Sequence, residues 1–189
     1  MYYGFAGCPE GHISGVDIEM EKITQKLEYH RDIEFLPNIK TFDFEQRFVK
    51  YDHQEYESKK TFAAVDLGQQ IFSLQGKLTG KDISIGSLLQ YRKFIAGGFY
   101  WTPNTDEINL SLFGFREKEF NFVTFQISSR FEFLKVKPDR ALSSININPE
   151  RVVERDFYYG SYALGIFKNW QNWKISSNIM YLQLSLIHI

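Results

Sequence analysis

Four groups of side chains have types and spacings that invite chemistry. Cys8 and His12 stand four residues apart in Gly7-Cys8-Pro9-Glu10-Gly11-His12. A thiol beside an imidazole is the minimal nucleophile and base. No third residue presents itself to orient the imidazole, so the segment reads as a Pro/Gly turn. Asp43, Glu57 and Lys59 have the order of a metal-dependent nuclease core, in which two carboxylates hold magnesium and a lysine assists the nucleophile. The charged run Glu55–Lys60 reads better as a solvated loop. His12, His30 and His53 lack ligand spacing. Trp101, Trp170 and Trp173 are the interface candidates: each falls at the end of a strand-like segment, beside a turn. Indole rings settle at membrane headgroups, where one edge stays wet, and they also stack on sugars or pack in cores. No catalytic residue, metal site or cofactor site emerges, and the expectation is a protein without enzymology.

The elements that carry these residues alternate with period two. In Lys22–Phe35, Ile23, Leu27, Tyr29, Ile33 and Phe35 oppose Lys22, Lys26, Glu28, His30, Asp32 and Glu34, although Met20, Ile23 and Leu27 also fit a helical stripe. Further strand-like runs are Lys40–Tyr51, Phe62–Leu74, Ile83–Tyr91, Phe94–Trp101, Ile108–Phe115, Phe120–Phe133, a short Leu142–Ile147, Phe157–Phe167 and Trp173–Leu182. Expected connections are Asp52–Lys60, a turn bracketed by Gly76 and Gly80, a tight Arg92-Lys93 link, Thr102–Asp106, the charged Arg116–Glu119 and Lys168–Asn172. Lys137–Arg155, with Pro138 and Pro149, is the best place for a long loop. That predicts ~10 strands joined so closely that neighbours must be antiparallel. No βαβ unit, phosphate-binding glycine loop or repeat period is present.

Among the 189 residues, 22 are basic and 23 acidic, a balance that argues against nucleic acid as a partner. The aromatic share is 17%, with 18 Phe and 11 Tyr, which suits pleated surfaces and the girdles of membrane barrels alike. The single cysteine excludes an intrachain disulfide. No apolar run is long enough for a membrane helix. The expected fold is all-β: an antiparallel up-and-down β-barrel, an incomplete transmembrane one, with a soluble β-sandwich as the alternative. In Tyr158–Ile166, Tyr158, Tyr162, Leu164 and Ile166 suit lipid, while Tyr159, Ser161, Ala163 and Gly165 suit a lumen. A sandwich alternates the same way, with water in place of the lumen. The domain is expected to be single over 1–183 and truncated. The last six residues, Leu184-Ser185-Leu186-Ile187-His188-Ile189, match the translation of a transposon-adaptor end used in sequencing libraries. They are expected to be an artefact, the other reading being a genuine last strand.

The segment Asp82–Phe131 carries, in order, Lys93-Phe94, Gly97-Gly98-Phe99-Tyr100, Asp106-Glu107, Gly114-Phe115 and the aromatic run Phe120–Phe131. This series resembles the late strands of PorP/SprF-type outer-membrane proteins of the Bacteroidota, and Tyr3-Gly4-Phe5-Ala6-Gly7 is similar to an opening element of that family. The chain departs from the family at Tyr100-Trp101 and Ser129-Arg130, and two further strands follow. The resemblance implies a non-enzymatic outer-membrane barrel with a structural or secretion-accessory role linked to type IX secretion and gliding. Its partners would be the lipid bilayer and secretion-machinery proteins, and its location the outer membrane of a Gram-negative bacterium. The alternative is a periplasmic or secreted soluble β protein that binds a protein or glycan through its loops.

Overall fold

The computed structural model describes residues 16–34, 37–57, 63–98, 102–139, 150, 152–170 and 172–183. They form one eight-stranded antiparallel sheet with strands in chain order, an up-and-down meander. The strands are β1 (Val16–Asp32), β2 (Ile39–Glu57), β3 (Ala63–Gly80), β4 (Ile83–Gly98), β5 (Thr105–Phe120), β6 (Val123–Pro138), β7 (Arg155–Trp170) and β8 (Trp173–Gln183). Each strand pairs only with its sequence neighbours, and no hydrogen bonds join β1 to β8. Among the described residues no helix is long and apolar enough to cross a membrane, which says nothing of strands.

Most strands run longer than the sequence suggests, and in β4 paired charge is the reason. Arg92 and Lys93 are not a link. They lie inside β4, where Arg92 faces Glu107 and Lys93 faces Asp106 across the β4–β5 ladder. Cross-strand opposite charges support a sheet, so a charged pair need not end a strand. Arg116–Glu119 likewise continues β5, and the turn is Asn121-Phe122. β3 passes through Gly76 and closes at Gly80, leaving Lys81-Asp82 as the turn. Gly76 sits opposite Phe44, and a Cβ there would make ordinary contact with the Phe42 ring at 3.8 Å. β2 runs on through Asp52 to Glu57. The ~10 expected strands therefore become eight among the described residues. Residues 1–15, Lys59, Trp101, Leu142–Ile147 and 184–189 lie outside the described residues, so the readings placed on them have no structural counterpart here.

The meander sorts its connections onto two rims. On one rim, β3–β4, β5–β6 and β7–β8 are joined by two-residue turns, and β1–β2 by residues 33–38. The β1–β2 turn uses Asn38 at φ 70°, a left-handed conformation that asparagine tolerates better than most residues. The other rim carries 58–62, 99–104 and 139–154.

Candidate functional site: a polar face and an apolar face

Register decides which side chains share a face, because a one-residue slip would invert every strand. On one face lie Arg92 opposite Glu107, Gln90 opposite Asn109, Leu88 opposite Ser111, and Arg130 opposite Ser161. The other face takes Leu89 opposite Leu110, Ser87 opposite Leu112, Leu112 opposite Phe131, and Ile127 opposite Leu164. The same parity runs from β1 to β8.

The polar face is the more enclosed one. In β5, Ser111 is 0% exposed while its neighbour Leu112, pointing the other way, is 56% exposed. β7 repeats the pattern: Tyr158, Tyr162, Leu164 and Ile166 are exposed, and Tyr159, Ser161, Ala163 and Gly165 are less so. Such an inversion fits a sheet that curves around its polar side, where neighbouring side chains crowd together.

Charges on that side are paired across or along strands. Arg92 Nε donates to Glu107 Oε2 at 2.8 Å, and a second guanidinium nitrogen binds Oε1. Ser111 Oγ donates to Glu132 Oε1 at 2.8 Å, and Arg130 binds both. On β1 and β2, Lys26 bridges Glu28 (2.6 Å) and Glu45 (3.1 Å), and Arg47 reaches Glu45 at 3.0 Å. His30 Nδ1 meets Asp43 Oδ1 at 2.6 Å. Tyr51 OH donates to His53 Nδ1 at 3.2 Å, and His53 Nε2 donates to Glu55 Oε1 at 2.8 Å. Both histidines thus take part in ordinary side-chain pairs.

The apolar face has an uncharged band across all eight strands. Between its flanking charges each strand presents no Asp, Glu, Lys or Arg: Ile23 to Tyr29 on β1, Phe42 to Phe48 on β2, Gly68 to Leu78 on β3, Ile83 to Tyr91 on β4, Ile108 to Gly114 on β5, Val123 to Phe133 on β6, Tyr158 to Ile166 on β7 and Ile175 to Tyr181 on β8. Aromatic pairs tie neighbouring strands together on this face. Phe133 and Tyr158 lie 5.2 Å apart, Phe131 and Tyr162 5.4 Å, and Phe120 and Phe125 5.5 Å. Toward the long-loop rim the band ends in a register row of Lys50, Gln70, Lys93, Asp106 and Lys137. There Tyr91 OH donates to Asp106 at 2.8 Å, Lys50 pairs with Asp52 at 2.7 Å, and Lys135 pairs with Glu154. The Lys135 ammonium holds the Glu154 carboxyl below the ordinary carboxylate range.

Trp170 and Trp173 face each other across the last hairpin, at the short-turn rim, both strongly exposed. The Lys168 ammonium stands 5.8 Å from the Trp170 ring. The nuclease arrangement does not assemble. Asp43 lies near one end of β2 and Glu57 is its last residue, about 45 Å away along the strand. Among the described residues no three His, Cys, Asp or Glu side chains converge to hold a metal. Sequence reasoning missed the Arg92–Glu107 and Ser111–Glu132–Arg130 clusters, because only register brings their members together.

None of three comparisons, with protein-family models, curated proteins and solved structures, finds a match.

Proposed function

We propose that this chain forms part of the wall of a non-enzymatic outer-membrane β-barrel, its apolar face against lipid and its polar face toward a wet lumen. The observation that carries the reading is the inverted exposure on β4, β5 and β7: there the uncharged band is the open face, and the polar face is the more enclosed one. A soluble sandwich needs a second layer over such a band, and the described residues supply a single sheet.

Dimensions support the same reading. On β5 the two charges that flank the band, Asp106 and Arg116, stand ten residues apart. Ten residues at ~3.4 Å span about 34 Å along the strand. At a tilt of about 40° that is a height of about 26 Å, close to the ~25 Å apolar band of membrane barrels. Three two-residue turns on one rim, against 58–62, 99–104 and 139–154 on the other, tend toward the usual division between periplasmic and outer sides, with the six-residue β1–β2 connection departing from it. Among the described residues Thr79 Oγ1 and Asn109 Oδ1 are buried without a protein partner, and both lie on the polar face. Water in a lumen satisfies such atoms.

A structural or secretion-accessory role rests on the PorP/SprF-type resemblance of Asp82–Phe131 alone. The test of the membrane reading is folding from urea into phosphatidylcholine vesicles, followed by flotation and electrophoresis with and without boiling. The expected result is β-rich protein that floats with lipid and changes mobility on boiling. A soluble β-rich monomer that stays in the aqueous fraction would overturn it.

A further inference from the structure

We propose that the apolar face holds one anionic phospholipid in a groove of about 650 Å³ formed by β5, β6, β7 and β8 near the short-turn rim. Arg116 and Lys118 would bind its phosphate, and Phe125, Ile127, Leu164 and Ile166 would seat an acyl chain. This inference rests on the membrane reading above and names a ligand that the reading does not require.

Charge is distributed unevenly between the two borders of the band. At the long-loop border, cations stand with carboxylates: Lys50 with Asp52, Lys135 with Glu154, and Lys93 and Lys137 on either side of Asp106. At the short-turn border, Arg116, Lys118 and Lys168 share the apolar face, and among the described residues no carboxylate pairs with them. Glu117 and Glu119 project to the opposite face, where Glu117 accepts a hydrogen bond from Gln126 at 2.6 Å. Lys118 lies 5.6 Å from the Phe120 ring, and Lys168 lies 6.0 Å from that of Phe122. Lys168 also stands 5.8 Å from the Trp170 ring, and an indole suits the depth at which headgroups sit.

The groove has the polarity of a phospholipid. Arg116 faces Ile127 and Lys118 faces Phe125 across the β5–β6 ladder. Those two residues face Leu164 and Ile166 on β7, and Leu164 faces Ile179 on β8. The two cations therefore stand at one edge of a strip that is apolar on β6 and β7 and carries Ser177 beside Ile179 on β8. A guanidinium matches a phosphate in bidentate geometry, and the lysine adds a second positive charge. A zwitterionic lipid would leave this border with its positive charge uncompensated.

The test uses the full chain folded in dodecyl maltoside micelles and titrated separately with dioleoylphosphatidylglycerol, dioleoylphosphatidylcholine and glycerol 3-phosphate. Retained molecules are counted by native mass spectrometry. One phosphatidylglycerol is expected to remain bound in preference to phosphatidylcholine, and glycerol 3-phosphate should not displace it. Each basic residue near an anionic surface strengthens binding about fivefold, so Arg116→Gln with Lys118→Gln should weaken retention about 25-fold. Lys93→Gln with Lys137→Gln, at the opposite border, should leave it unchanged. Equal retention of the two lipids, an unaltered Arg116/Lys118 double variant, or displacement by glycerol 3-phosphate would overturn the lipid site while the membrane reading stands. Folding to a soluble β-rich monomer that stays out of micelles and phosphatidylcholine vesicles would overturn both.

Discussion

Placing an arginine at Leu112 separates a lipid-facing band from a water-facing one, because the two environments give different magnitudes for the same change. Leu112 is 56% exposed and points to the apolar face. It lies four residues from Arg116 and six from Asp106, so it sits roughly 10 Å in height from one border and roughly 15 Å from the other, close to mid-band. An arginine at the bilayer midplane of a barrel costs about 2–4 kcal/mol, falling to about 0–1 kcal/mol near the interfaces. Phe120→Arg, at the short-turn rim, is therefore the matched control. An exposed leucine on a sheet facing water would accept the same replacement within about 0.5 kcal/mol. Guanidinium unfolding of vesicle-inserted protein, followed by tryptophan fluorescence, reads the difference. With a slope of about 3 kcal/mol per molar, a loss of about 3 kcal/mol lowers the midpoint by about 1 M. Leu112→Arg should show that drop, and Phe120→Arg should move the midpoint by about a third of it or less. Equal, small effects at the two positions would refute the placement of the band in lipid.

Other expectations concern the polar face and the borders. Glu132→Leu deprives the buried Ser111 hydroxyl and Arg130 of their acceptor and should cost about 1–3 kcal/mol in the same assay, with Glu132→Gln recovering much of it. A double-mutant cycle on Arg92 and Glu107 should give a coupling of about 1 kcal/mol, since both side chains keep some exposure. A Cβ at Gly86 would stand 2.5 Å from the Phe113 ring and 2.7 Å from the Gly76 carbonyl oxygen. Gly86→Ala should therefore lower stability by about 1–3 kcal/mol, and adding Phe113→Leu should relieve part of that loss. By carboxyl carbon NMR, Glu154 should titrate below an ordinary glutamate, and Lys135→Gln should return it to the usual range. The sign follows from the direction: a lowered carboxyl pKa favours the folded contact above the ordinary carboxylate range, and that contribution disappears as pH falls through the lowered value.

Alternation makes the sheet legible in the sequence. The faces of Tyr158–Ile166 and of Lys22–Asp32 are the ones that period two predicts. Strand limits were less legible, because a charged dipeptide in mid-strand has the composition of a turn. Arg92-Lys93 and Arg116–Glu119 belong to strands because their partners across the ladder complement or tolerate them, and those partners are set by register rather than by local sequence. The candidate surface was visible one strand at a time. Its continuity across eight strands, and the row Lys50, Gln70, Lys93, Asp106, Lys137 that borders it, appear only when the ladders are aligned. The pairing of Trp170 with Trp173 is an intermediate case. Their position beside a turn was readable, whereas their direct opposition required the two-residue connection to be known.

The proposed function depends on the apolar face of β5 meeting lipid. Nitroxide labels placed one at a time at positions 108 to 113, in Cys8→Ser protein inserted into vesicles, report that directly through collisions with oxygen and with a water-soluble nickel chelate. Labels at Ile108, Leu110 and Leu112 should collide with oxygen and be shielded from nickel, and labels at Asn109, Ser111 and Phe113 should not share that signature. Nickel access at positions 108, 110 and 112, or loss of the two-residue period, would contradict the account.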